Sequence, residues 1–284
     1  MIRWQPAAVY EPPPIAVGVD AHVHLFPDEL FAAISRWFAA AGWELPYQTR
    51  TADILRTLSL LGVREFWALP YAHKPGIADA LNEYIAGQQR DDPRVIGFFT
   101  VHPADENPAA TARRALDELG LHGLKLHAEV QGMALDDVRL DGVFALLEAR
   151  GVPCILHAGN APYPEKIERL DVAHLAGRLA RNPRLKAVIA HLGAPQTADY
   201  LELMDRYSEL RLEVSFAHVP PWYEQPPAML ARLGRYADRL LFGSDFPYVT
   251  FPYAWQVRSW LRVDWVRERA DDFFGGNARR LLAK

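Results

Sequence analysis

Two histidines one residue apart, His22 and His24, end the apolar run Ile15-Ala16-Val17-Gly18-Val19-Asp20-Ala21-His22-Val23-His24. A strand sends alternate side chains to opposite faces, so both imidazoles are expected on one side, about one pleat apart and within reach of one cation. Val19, Ala21 and Val23 are then expected to face the other way. An isolated His-x-His is more often polar decoration of a strand end than a ligand pair. This pair has company: of ten histidines, His22, His24, His73, His102, His127, His157, His191 and His218 fall at or just past the C-terminal ends of predicted strands, and only His122 and His174 lie elsewhere. The last predicted strand ends Gly243-Ser244-Asp245-Phe246-Pro247 and adds a carboxylate. His22, His24, His157 and Asp245 together make a His₃Asp set. Three neutral imidazoles and a carboxylate suit one divalent ion with a position left for water: zinc first, Mn²⁺ or Fe²⁺ as alternatives.

Residues so far apart in sequence meet only if the elements carrying them converge. After a strand over residues 15–24 comes an aromatic insert, 26–47, with a helical centre at 28–42 and a second helix over 51–61. Apolar strands are then predicted at 64–69, 95–101, 121–127, 152–157, 185–191, 210–216 and 239–243, alternating with helices at 76–90, 108–119, 137–150, 164–182, 196–209, 222–236 and 253–261. Residues 1–14 are Pro-rich and read as a surface lead-in. Phe274-Gly275-Gly276-Asn277 reads as a hinge with an Asn N-cap, followed by a closing helix over 278–283. Eight strand-helix units without a linker, and without a Gly-rich turn after the first strand, predict one (β/α)₈ TIM barrel over 1–284 rather than a doubly wound sheet. It would carry a helical insert after strand one and a C-terminal closing helix. All strand C-terminal ends of such a barrel meet on one face.

Composition narrows the partners. Net charge is −4 and Lys/Arg runs are absent, which argues against nucleic acid. No segment reads as a signal peptide or membrane span, and the single cysteine, Cys154, lies in an apolar strand pattern, so a cytoplasmic protein with a buried thiol is expected. The expected partner is a small-molecule substrate; a homodimer is left open.

These residues resemble the amidohydrolase superfamily of metal-dependent barrels, in the branch that includes aminocarboxymuconate-semialdehyde decarboxylase-like proteins. The likeness runs from Asp20-Ala-His22-Val-His24 through Gly123-Leu-Lys125-Leu-His127, Leu156-His157-Ala-Gly159, Ala190-His191-Leu-Gly193 and Gly243-Ser-Asp245-Phe-Pro247 to Gly276-Asn-Ala-Arg-Arg-Leu-Leu282. Singly these motifs are weak, but together and in order they are specific. The resemblance implies that His22, His24, His157 and Asp245 are the metal ligands, and that His191 polarises substrate or orients water at the metal.

Lys125 and His127 are expected to point inward from strand four toward substrate. In binuclear members of the superfamily a strand-four lysine is carboxylated and bridges two metals. The branch resembled here uses one, so Lys125 is expected to be uncarboxylated and paired with a substrate carboxylate, Asp20 or Glu129. Asp20 reads equally as a group orienting a ligand histidine or as a satisfied polar residue. His73 and His102 read as loop residues, His218 as a substrate contact or a loop cap. Trp37, Phe38 and Trp43 have helical spacing that usually means packing, although their segment leaves the catalytic end of strand one and could act as a lid. Two enzyme activities follow. The first is metal-dependent hydrolysis of a small amide, ester or lactone, with His191 and Asp245 handling protons. The second is non-oxidative decarboxylation of a small, ring-bearing acid. A non-catalytic barrel would need no complete ligand set.

Overall fold

The computed structural model describes residues 9–158 and 171–283. Eight parallel strands pair in chain order: β1 (Val17–Val23), β2 (Val63–Ala68), β3 (Val95–Phe99), β4 (Gly123–His127), β5 (Cys154–His157), β6 (Ala187–Ile189), β7 (Arg211–Glu213) and β8 (Leu240–Leu241). Backbone bonds from Ala21 N to Phe242 O (2.9 Å), Asp245 N to His22 O (2.8 Å) and His24 N to Phe246 O (2.8 Å) return the last strand to the first. The result is the expected (β/α)₈ barrel. Its strands read as near-continuous apolar runs because both faces are covered. Val19, Ala21, Trp67, Leu69, Phe98, Ile155, Val188 and Leu241 form one cluster inside it, joined by Ala278 and Leu281 of the closing helix Asn277–Leu282. A larger apolar layer packs the strands' outer faces against the helices.

Strict alternation fails in β1, at the step that matters for the site. Asp20 pairs with Phe66 and Val23 with Ala68, three residues of advance on β1 against two on β2. This β-bulge re-aims the side chains beyond it. Val19 and Ala21 belong to the interior cluster while Val23 joins the outer layer, correcting the expectation that all three share a face. Of the two roles left open for Asp20, the satisfied polar one fits: it is held by Ser244 Oγ (2.6 Å), Ser244 N (3.0 Å), His22 N (3.0 Å) and Tyr253 OH (2.9 Å). It thereby clamps the bulge to the β8 turn. Burial raises its pKa to about 6 despite these donors. Removing one donor from a buried carboxyl costs about 1–3 kcal/mol. Tyr253→Phe is therefore expected to lower unfolding free energy by about that amount, read from denaturant midpoints at constant m-value.

Other departures have local causes. The strands at 185–191 and 210–216 stop early, at Ile189 and Glu213, because the chain turns sharply into the site. The helix expected over 222–236 covers only Pro227–Gly234, since prolines 220, 221 and 226 withhold backbone donors and fix φ. Asn277 is not an N-cap: it is the first residue of its helix, and its amide donates to Ala237 O (2.8 Å) and Leu240 O (2.7 Å), tying the closing helix to β8. The described end of the lead-in is held as well, for Val9 is buried and accepts from Tyr47 OH at 2.9 Å. The expected start of the helix at 164–182 lies outside the described residues; Asp171–Arg181 is helical. Cys154 is buried, its thiol pushed up to about 12 by burial. Among the described residues no helix is long and apolar enough to cross a membrane.

Candidate functional site

At the C-terminal end of the barrel, His22 Nε2 lies 3.2 Å from His24 Nε2, and Asp245 Oδ1 lies 2.9 Å from the latter and 3.3 Å from the former. The far side of each ring says which nitrogen is protonated. His24 Nδ1 faces the Leu69 carbonyl at 2.7 Å, which can only accept. His22 Nδ1 faces Glu213 Oε2 at 2.7 Å. His24 thus carries hydrogen on Nδ1, a hydrogen lies between His22 Nδ1 and Glu213, whose carboxyl burial raises to about 8, and burial lowers the pKa of both rings, favouring neutral imidazole. Two ring nitrogens and a carboxylate oxygen are left facing one another. Lys125 Nζ, 3.2 Å from His22 Nε2, is one donor at this convergence, and N₂O is a donor set for a borderline divalent ion. The residues fit the group that the family resemblance implies.

Glu213 and Ser215 were not picked out from the sequence. Both are fully buried, and Ser215 Oγ donates to Glu213 Oε2 at 2.9 Å. A signal was present: an acid inside the apolar run Leu210-Arg-Leu-Glu-Val-Ser-Phe216 needs a buried partner. Gly243 makes room for it, since a Cβ there would overlap Glu213 Oε1 and come within 2.7 Å of His22 Cβ. Lys125 is fully buried beneath His22, Nζ 3.2 Å from its Nε2, and the cavity wall is formed without it. Burial lowers its pKa, opposed by Asp245 and Glu213, where Asp20 or Glu129 were the expected counter-charges.

His157 and His191 complete the floor. His191 Nε2 is 3.2 Å from His157 Nδ1, and its own Nδ1 is 2.8 Å from Ser215 Oγ. Burial lowers the His191 pKa to about 4 and holds His157 well below the usual range. The His157 ring stacks on His127, centroids 3.7 Å apart, and its Nε2 is buried without a partner among the described residues. Two ligand sets therefore overlap: the expected His22, His24, His157 and Asp245, and a compact trio of His22, His191 and Asp245 whose ligand atoms all lie within 4.8 Å of one another. His191, Phe216 and Asp245 hold φ of 57°, 59° and 64°. Left-handed backbone at three non-glycine residues is strain of the kind that concentrates at functional sites.

Above the floor opens a cavity of about 440 Å³. His24, His127, His157, His191 and Asp245 reach it, and Phe38, Trp43, Tyr71, Phe216, Trp222, Tyr223 and Tyr248 wall it. Phe38 and Trp43 come from the insert, so helical spacing there serves packing and cavity wall together; Trp43 Nε1 donates to Tyr248 O at 2.8 Å. His73, His102 and His218 are not on the wall: His102 Nδ1 accepts from Ala104 N (3.1 Å) and His218 Nδ1 from Gln225 N (3.2 Å), both as loop caps.

A closed parallel barrel with histidines and an aspartate gathered at its C-terminal mouth defines a class of metal-assisted barrel enzymes. The amidohydrolase-2 family model matches residues 19–284, and the chain belongs to that family. No curated protein matches it. Among solved structures, an uncharacterised TIM-barrel protein from Bordetella bronchiseptica superposes with TM-score 0.71 at 19% identity, covering 93% of this chain and 97% of that one. A 5-carboxyvanillate decarboxylase from Novosphingobium aromaticivorans, solved with bound manganese, gives 0.68 at 17%, covering 94% and 97%. A probable 2-pyrone-4,6-dicarboxylic acid hydrolase from Acinetobacter baumannii, with citric acid bound, gives 0.65 at 15%, covering 94% and 99%.

Proposed function

We propose that this protein is a metal-dependent hydrolase of a small, partly apolar amide, ester or lactone. The observation that carries the reading is the convergence of His22 Nε2, His24 Nε2 and Asp245 Oδ1 at the cavity floor. A divalent ion held there, completed by His157, supplies Lewis acidity that acidifies water and polarises a carbonyl. Zinc is the first choice, Mn²⁺ and Fe²⁺ the alternatives, because a His/Asp set discriminates weakly. Asp245, its side chain 13% exposed, can receive water's proton and return it to the leaving group. His191 is neutral with its hydrogen on Nδ1, so its Nε2 acts as an acceptor that orients water rather than as a donor to a carbonyl.

Hydrolysis comes before decarboxylation because Asp245 and Glu224 are the only Asp, Glu, Lys or Arg side chains on the wall among the described residues. Among the described residues a substrate carboxylate would meet no lysine or arginine on that wall. The aromatic wall favours decarboxylation of a ring-bearing acid as the second reading, with His127 on the wall available to its anion and Lys125 acting only from beneath His22. Metal analysis of the purified protein, followed by a panel of amides, esters, lactones and aromatic acids, separates the two. One ion per chain and a pair of hydrolysis products are expected. Carbon dioxide without hydrolysis would transfer the reading to a carboxy-lyase, and absence of metal dependence would overturn both.

A further inference from the structure

We propose that the outer part of the cavity is an ammonium subsite, in which Trp43, Phe216, Trp222, Tyr223 and Glu224 take a protonated or quaternary amine that the substrate carries away from the bond to be cleaved. The inference rests on the reading of this cavity as the substrate site and adds a charge to the substrate class. Its first ground is the placing of the rings. Trp43 comes from the insert after β1 and Phe216 from the turn after β7, and their centroids lie 5.8 Å apart. Tyr223 meets Phe216 edge-on at 5.9 Å, and Trp222 stacks on Phe251 at 6.1 Å. Trp43, Phe216, Trp222 and Tyr223 all line the cavity. Trp222 and Tyr223 remain 37% and 44% exposed, adjacent in sequence and open to an incoming ligand.

The second ground is charge. Glu224 follows these two residues on the same wall, is exposed, and has no hydrogen-bond or ion-pair partner among the described residues. His218, which feels its charge, is pushed toward the neutral form by burial and does not balance it. Trp and Tyr rings attract an organic cation to their negative faces, and a carboxylate beside them adds a counter-charge. The segment is also held in shape before any ligand arrives. Tyr223 N donates to Val219 O at 3.2 Å, Gln225 Nε2 to Ala217 O at 3.0 Å, and Trp255 Nε1 to Pro220 O at 3.1 Å. Binding there need not spend free energy on ordering the loop. The bland alternative is an apolar cavity with an ordinary surface glutamate at its rim. Such a cavity would hold an uncharged hydrocarbon group as well as a cation of the same shape.

The test is calorimetric titration of the Zn²⁺-loaded full chain with choline and with 3,3-dimethylbutan-1-ol, which has the same shape with carbon in place of the charged nitrogen. At low ionic strength choline is expected to bind about 10-fold more tightly. Tyr223→Phe, which keeps a ring, is expected to keep that preference, and Tyr223→Leu to reduce it by about 3–5-fold. Glu224→Gln is expected to reduce it by about 2–5-fold, and by less when salt is added. Equal binding of the two alcohols to the parent overturns the proposal, as does the absence of choline binding in the millimolar range. So does an undiminished preference in the double variant Tyr223→Leu, Glu224→Gln, with a thermal melt confirming that it is folded. Neither probe has an amide or ester to cleave, so the hydrolase reading stands or falls on the panel above and the subsite on these titrations.

Discussion

Asp245→Asn is expected to reduce kcat by about 10²–10⁴-fold while the fold persists, measured as steady-state turnover alongside the thermal melt. The substitution keeps the shape of the side chain and the backbone bonds that place it, Asp245 N to His22 O and Tyr248 N to Asp245 O, both 2.8 Å. It removes the charge and the capacity to take up a proton. Asp245 Oδ1 lies 2.9 Å from His24 Nε2 and 3.3 Å from His22 Nε2, so metal occupancy measured at limiting metal should fall with turnover. Activity within tenfold of the parent would place proton transfer on another group and refute the role given to Asp245.

His157→Ala and His191→Ala are expected to fail in different ways. His157 Nε2 is buried with no hydrogen-bond partner among the described residues, which suits a ligand; its removal should release most of the metal. His191 has its Nδ1 occupied by Ser215, and it acts as an acceptor, so His191→Ala should abolish turnover at near-parental metal content. Elemental analysis of both variants beside their kcat checks the division. His191, His22 and Asp245 offer ligand atoms within 4.8 Å of one another, so the reverse outcome has a definite meaning. Metal lost from His191→Ala and retained in His157→Ala would make that trio the binding set.

The eight strands were legible because each is a short apolar run followed by a helical period, and the mouth histidines because they end those runs. Lid and wall were half legible: the aromatics of 26–47 were visible, their meeting with Phe216 and Tyr248 was not. Val23 was put on the face of Val19 and Ala21 because period-2 alternation assumes an unbroken ladder, and nothing local in Asp20-Ala21-His22 marks the extra residue that the β2 register imposes. Glu213 went unnoticed as a polar residue in an apolar strand. Its importance is a matter of contact with His22, 191 residues away in sequence.

The sequence by itself determined the barrel, the family and the residue types at its mouth, since these depend on local periodicity and on motif order along the chain. Only the tertiary structure decided that His24 and His191 turn Nδ1 to backbone carbonyls, that Lys125 lies beneath His22 rather than on the wall, and that His191 competes with His157 for the metal set. Those properties depend on distances of about 3 Å between side chains from different strands, set by the β1 bulge and the turns after β6, β7 and β8, and no spacing within one strand encodes them.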